Sequence, residues 1–121
     1  NTIASDSIKV LSIGGFYFKN KVENLYLDLE YKGVLKEGIA KRTLVDYIKG
    51  MVSHINKDAE LTPFLIKEIF DENDISISLS YTSTEGKLCQ VHLYNGEIIF
   101  SIYDKENNTL NRTHAEPFAD E

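Results

Sequence analysis

The 121-residue chain contains no tryptophan, one cysteine, one methionine and two prolines. A single cysteine excludes a disulfide within the chain, so the fold must rest on its hydrophobic core. No apolar run approaches the roughly 20 residues that span a bilayer, and we predict no membrane contact. Basic residues are also fewer than acidic ones, with 13 Lys and Arg against 19 Asp and Glu. Because nucleic acids are bound through basic surfaces, this balance argues against a nucleic acid partner.

Recognisable catalytic and ligand-binding motifs are absent from the sequence as well. His54, His92 and His114 lie far apart. Cys89 and His92 are three residues apart on a predicted strand, so they point to opposite faces and cannot share a metal ion. The acidic run 71–74 lacks the glycine and the glutamate of a calcium-binding loop. We therefore expect no catalytic residue, metal ligand or cofactor, and we predict that the protein is not an enzyme.

Alternating apolar residues predict two groups of three strands. The period of two is clearest in segments 25–31 and 75–82. We predict the first group at 8–18, 25–31 and 34–40, and the second at 75–82, 87–94 and 97–103. Asn95-Gly96 is the strongest hairpin-turn signal in the chain. From Asp104 onward the sequence is polar without a period, which predicts a loose tail over 104–121.

Between the two groups the apolar spacing becomes helical. Thr43 with Asp46 resembles a capping box ahead of an apolar stripe that ends at Ile55. A second helix is predicted from Thr62-Pro63 to Asn73. The resulting order, βββ-αα-βββ, indicates a single α+β domain over 1–121 with a mainly antiparallel β-sheet and the helices packed on one face.

Charge is segregated along the chain. Residues 1–60 carry nine basic and eight acidic side chains, a net of +1, whereas residues 61–121 carry four and eleven, a net of −7. Several acids cluster at the predicted C-terminal end of the second helix, where the helix dipole disfavours them. They form either a solubilising surface or an electrostatic docking face for a basic protein. For the docking face the candidate residues are Glu68, Asp71, Glu72, Asp74, Glu97 and Asp104.

Two further strand faces are candidate binding surfaces. One is a row of small polar side chains on the predicted strand 75–82, which could accept an added strand if that strand lies at an edge, or could simply be the solvated face of a sheet. The other combines an aromatic ring with two acids on segment 25–31. The two faces consist of Ser76, Ser78, Ser80 and Thr82, and of Tyr26, Asp28 and Glu30.

The small size, the acidity and the α+β pattern without motifs resemble the small acidic immunity proteins of bacterial toxin–immunity pairs of the contact-dependent inhibition type. The resemblance spans the whole chain and involves no specific motif, so it assigns no role to individual residues. It implies a non-catalytic inhibitor that covers the active or substrate-binding face of a nuclease-type toxin. A cytoplasmic location is the default expectation, and the single cysteine agrees with it. Such a toxin must bind phosphates through Lys and Arg, which makes an acidic inhibitor physically reasonable.

The alternative is a secreted or periplasmic lipoprotein-like or adhesin-like domain, or a secretion chaperone. Residue 1 is Asn rather than Met, and two triplets that begin at Asn107 and Asn111 match the glycosylation acceptor pattern. The genes around the coding sequence separate the two hypotheses. An adjacent toxin gene favours immunity, whereas an upstream signal peptide with a lipobox favours the envelope protein.

Overall fold

The computed structural model describes residues 7–67 and 69–118. Within these residues six strands form one sheet, in which they lie side by side in chain order. The elements are β1 (Ile8–Phe18), β2 (Lys21–Val34), α1 (Glu37–Lys57), β3 (Ile75–Thr82), β4 (Leu88–Tyr94), β5 (Glu97–Asp104) and β6 (Thr109–Pro117), with short 3-10 turns at Thr62–Phe64 and Glu72–Asp74.

The sheet is mixed, which corrects the predicted antiparallel order βββ-αα-βββ. β2 and β3 pair in parallel, whereas the other neighbouring strands are antiparallel. The reason lies in the connection, because α1 is a single helix of 21 residues. Such a helix spans about 30 Å and returns the chain to the end of the sheet where β2 began. The next strand must then run in the same direction as β2.

The predicted strand 34–40 and the predicted helix cap at Thr43 are both wrong. β2 ends at Val34 and α1 begins at Glu37. Ala40 is fully buried in the first part of the helix. Thr43 lies inside the helix, where its Oγ1 donates a hydrogen bond to the Ile39 carbonyl at 2.8 Å. The apolar stripe therefore begins one turn earlier than its sequence signal indicated.

The predicted second helix does not form. The described residues of its segment contain only the two 3-10 turns as helical structure. Of its predicted apolar face, Leu65, Ile66, Ile69 and Phe70, two residues are exposed, Ile66 and Ile69. Instead, Leu65 forms an isolated parallel bridge with Val22, and the Ile66 N–H donates to the Val22 carbonyl at 3.0 Å. Phe70 is fully buried, and the Asn56 side chain bonds both its N–H and its carbonyl at 2.8 Å. At Ile66 and Phe70 the backbone of the segment therefore bonds to β2 and α1 instead of continuing a helix.

Residues 109–117, predicted as part of a loose tail, form the edge strand β6 instead. This strand pairs with β5 over its whole length. Phe118 is buried, and its N–H donates to the Gly96 carbonyl at 2.9 Å. Because most of β6 is solvent-exposed, its sequence is polar on both faces and shows no apolar period. Residues 119–121 lie outside the described residues.

One face of the sheet forms the core with α1, which contacts β3 and β4. Leu44 and Ile48 of the helix are fully buried there. They belong to one cluster with buried strand residues, including Leu27, Leu29, Ile77, Leu79, Val91 and Leu93. The helical spacing of apolar residues also predicts Val52 and Ile69 in this core, but Val52 is only half-buried and Ile69 is exposed. No helix in the described ranges is both long and apolar enough to cross a membrane.

Candidate functional site

The face of the sheet opposite α1, here called the helix-free face, gathers polar side chains from all of its strands. Residues at matching register in adjacent strands share a face. One row across the sheet is Ser12, Asp28, Ser78, His92, Ile99 and Ala115, and the next is Lys9, Glu30, Ser80, Gln90, Ser101 and Arg112. The parallel β2–β3 pair thus places the serine row beside the acids of β2. The sequence analysis treated these two surfaces as unrelated.

The serine row does not lie at an edge, because β3 is hydrogen-bonded to β2 on one side and to β4 on the other. The strand addition considered for this row is therefore not available. Instead, Ser78 of this row takes part in hydrogen bonds that join neighbouring strands. Ser12 Oγ donates to Asp28 Oδ2 at 2.6 Å, and Ser78 Oγ donates to Asp28 Oδ1 at 2.8 Å. Both carboxylate oxygens of Asp28 are thus used to join β1, β2 and β3.

His92 lies beside Ser78 on this face and is partly buried. Its Nδ1 is buried and has no hydrogen-bond partner among the described residues. Burial first, and the nearby positive charge of Arg112 second, lower the pKa of His92 below its ordinary value of 6.5. The imidazole is therefore neutral at pH 7, and protonating it in the folded chain is unfavourable.

We expect this histidine to make the folded state weaker in mild acid. The unfolded chain binds a proton near pH 6.5, whereas the folded chain resists it, so stability falls as the pH drops from about 7 towards the lowered pKa. Urea unfolding at pH 7.5 and 5.5 should show a smaller pH-dependent loss for His92→Gln than for the natural chain. The matched control is His54→Gln, at an exposed position of α1. Identical pH dependence in all three chains would contradict the assignment.

A groove of about 580 Å³ opens at the end of the helix-free face where β3 finishes. Glu30, Ser80 and Gln90 line it from β2, β3 and β4, while Tyr103 and Leu110 line it from β5 and β6. Flat strands at about 4.8 Å spacing would separate β2 from β6 by about 19 Å. Residues of both strands line this one groove, which indicates that the sheet curls towards this face. The groove offers hydroxyl, amide and carboxylate groups between aromatic and aliphatic walls, a lining suited to polar side chains of a ligand.

The predicted docking acids have different structural roles. Glu68 lies outside the described residues. Asp71 caps the second 3-10 turn by accepting from the Asn73 N–H at 2.8 Å. Asp74 is buried and accepts from the Asp71 N–H at 2.9 Å and from Lys67 Nζ at 2.8 Å. This bond to Asp74 is the main cause that raises the pKa of Lys67. These acids therefore stand at the start of a turn that they stabilise, not at the disfavoured end of a helix.

Glu97 lies close to this acidic turn. Asn73 Oδ1 is 3.8 Å from the position that a Cβ on Gly96 would occupy, so the β4–β5 turn abuts residues 71–74. The end of α1 is anchored to Phe70 by Asn56, which brings the residues after α1 to the same end of the sheet. We call this region the acidic end. It comprises Asp58, Glu60, Asp71, Glu72 and Glu97.

Asp104 does not belong to the acidic end. It is the last residue of β5, whereas Glu97 is the first. Seven residue steps along the strand separate them by about 23 Å. Asp104 organises the β5–β6 turn by accepting from Asn107 Nδ2 at 2.7 Å, and this hydrogen bond is the main cause that lowers the pKa of its carboxyl. The predicted docking face is therefore divided between the two ends of the sheet.

Two surfaces were missed by the sequence analysis. The groove residues Gln90, Tyr103 and Leu110 lie on the neighbouring strands β4, β5 and β6 and meet through strand pairing, which the sequence analysis missed because it predicted a loose tail over 104–121. The exposed apolar side chains of β1 had a visible signal, since segment 8–18 is apolar at both odd and even positions. Within the described ranges, no three His, Cys, Asp or Glu side chains are grouped as metal ligands. Comparison with protein-family models, curated proteins and solved structures gave no match for this chain.

Proposed function

We propose that the protein is a non-catalytic inhibitor that binds a basic, nuclease-type toxin domain through the acidic end and covers its active or substrate-binding face. The observation that supports this most directly is the convergence of Asp71, Glu72 and Glu97. These residues come from two separate segments, and Asn73 Oδ1 lies 3.8 Å from the position that a Cβ on Gly96 would occupy. Lys67 is 3.8 Å from Asp71 and Arg112 is 3.9 Å from Glu97, so these cations offset part of the negative charge.

The charge of the acidic end fits a partner that binds nucleic acid. Glu72 is partly exposed and forms no hydrogen bond or ion pair within the described residues. Glu97 is exposed, and the nearest cation is Arg112 at 3.9 Å. A nuclease concentrates Lys and Arg along its phosphate-binding face, so complementary potentials would steer the two proteins together. In this proposal Asp74 positions the turn from inside, and only the outer carboxylates touch the partner.

The proposal is tested with a charge-reversed variant, Glu72→Lys with Glu97→Lys. Asp71 and Asp74 stay unchanged because their hydrogen bonds hold the turn. The matched control, Glu85→Lys with Glu106→Lys, alters net charge equally at exposed residues in the β3–β4 and β5–β6 turns. We expect at least about a tenfold slower association with the toxin domain at low ionic strength for the first variant only. Salt should also slow that variant less than the natural chain.

The partner for these measurements is obtained by affinity capture from the native cells and mass spectrometry, then purified. Stopped-flow mixing at two ionic strengths gives the association rates. Nuclease activity of the purified partner should fall to zero at one equivalent of inhibitor. A partner without nuclease activity, activity that survives saturation, or equal rates for both reversed variants would overturn the proposal.

A further inference from the structure

β1 is an edge strand with an unusual surface. Among residues 7–67 and 69–118 it pairs with β2 on one side only, so alternate backbone N–H and carbonyl groups have no strand partner there. Edge strands are commonly kept short or protected by charge and proline. β1 has 11 residues, no proline and a single charged side chain, Lys9. Its exposed large side chains, each between 49% and 69% exposed, are Val10, Leu11, Ile13, Phe16, Tyr17 and Phe18.

These apolar side chains occupy both faces of the sheet. Val10 and Ile13 are register partners of Leu29 and Leu27, so they share the face that carries α1. The helix lies against β3 and β4 and leaves them uncovered. Phe16 is on the opposite face, where its ring meets the Tyr26 ring with centroids 5.6 Å apart. A strand that pairs with this edge should therefore be apolar on both faces as well.

Among the described strands, only β1 itself meets that requirement. The other edge strand, β6, is mostly polar, and Leu110 is its only exposed large hydrophobic residue. A β1–β6 contact between copies would also leave a free β1 and a free β6 at the ends, and such head-to-tail contacts build open chains. Pairing of β1 with β1 closes after two copies.

We propose that two copies of this chain pair through antiparallel β1 strands around a two-fold axis, which joins their sheets. The axis passes close to residues 12–16, where β1 is regular between its two register irregularities. The antiparallel direction keeps the two Lys9 side chains apart, since each lies near the opposite end of the other copy's β1. This surface is distinct from the acidic end, and the inference does not depend on the proposed inhibition.

The exposed area is sufficient for a stable dimer. With about 150–250 Å² for each large side chain, the six exposed residues present on the order of 700 Å² of apolar surface. Specific protein interfaces bury about 800 Å² per partner. The paired backbones bury further surface, and their hydrogen bonds fix the relative direction of the two β1 strands. A basic toxin domain is a poor occupant of this edge, because Lys9 and Lys19 flank it and β1 carries no acid.

Sedimentation velocity from about 1 to 100 μM tests the pairing. We expect the natural chain to be a dimer and Ile13→Lys to raise the dimer dissociation constant by about 30-fold or more, as for a central interface residue. The matched control, Leu110→Lys, alters a similarly exposed residue on the opposite edge and should remain dimeric. A natural chain that stays monomeric, or a dimer lost in Leu110→Lys but kept in Ile13→Lys, would overturn the proposal. A monomeric chain whose Ile13→Lys variant loses its toxin partner would assign β1 to that complex instead.

A cysteine scan gives an independent readout that does not rely on a destabilising charge. In a Cys89→Ser background, single cysteines replace Val10, Leu11, Ile13, Phe16 and Phe18 in turn. Around a two-fold axis each position faces its own copy only near the axis. Disulfide-linked dimers should therefore peak at one central position and decline towards both ends of β1. Equal crosslinking along the strand, or none above that of a cysteine at residue 110, contradicts antiparallel pairing.

Discussion

Leu29→Ala is expected to lower the free energy of unfolding by about 2–5 kcal/mol, the cost of truncating a fully buried leucine. Leu29 is 1% exposed and lies in β2 between Val10 of β1 and Leu79 of β3. Its loss would leave a cavity where the sheet meets the core, since neither neighbouring strand can collapse without breaking its ladder. Urea unfolding followed by circular dichroism measures the change.

The control for this variant is Val34→Ala, at the end of the same strand. Val34 is 59% exposed, so its truncation should change stability by less than about 0.5 kcal/mol. A loss below about 1 kcal/mol for Leu29→Ala would show that β2 does not carry the core. Similar losses in both variants would point to a general weakness of β2 rather than to the cavity.

Removal of residues 109–121 is expected to unfold most of the protein. The deletion takes away β6 and the buried Phe118, and it removes His114, whose ring stacks on Phe100 with centroids 4.3 Å apart. Each large apolar side chain that becomes exposed costs about 1.5–3 kcal/mol. Domains of this size have only about 5–15 kcal/mol of net stability, so the loss of several such contacts is decisive.

The control is a chain that ends at Phe118, which keeps β6. The difference in stability between the two shortened chains then comes from residues 109–118 alone. Near-ultraviolet circular dichroism distinguishes a folded chain from an unfolded one, because the tyrosine signals depend on fixed packing. A chain ending at residue 108 that stays folded and cooperative would show that β6 is peripheral to the sheet.

Two corrected expectations share a common cause. The structure of a segment depends on which residues its backbone groups can bond to, and not only on its own apolar pattern. The apolar residues at 65, 66, 69 and 70 have helical spacing, but the backbone of this segment bonds to Val22 and Asn56 instead. Thr109–Pro117 lacks any period, yet it forms a strand because β5 offers a free edge. In both segments the backbone groups bond to residues outside the segment, and the apolar pattern within the segment does not show that.

The candidate site also has some features that the sequence shows and others that only the structure shows. The identity of the acids and their concentration in the second half are visible in the sequence, and so is the alternation that aligns Asp28 with Glu30. Their environment is not visible. Asp74 is buried as a cap, Asp104 organises a separate turn, and Asp28 is engaged by serines of two other strands. These differences decide which carboxylates are free to meet a partner.

By itself the sequence determined the features that depend on neighbours along the chain. The alternation of apolar residues predicts β3, and the helical spacing of apolar residues predicts most of α1. Asn95-Gly96 predicts the β4–β5 turn, where both residues have positive φ. Only the tertiary structure decided the direction of β3 beside β2, the curl of the sheet and the exposed edge at β1. Those features depend on pairs such as Asp28 with Ser78, 50 residues apart, whose contact forms only when α1 has carried the chain back across the sheet.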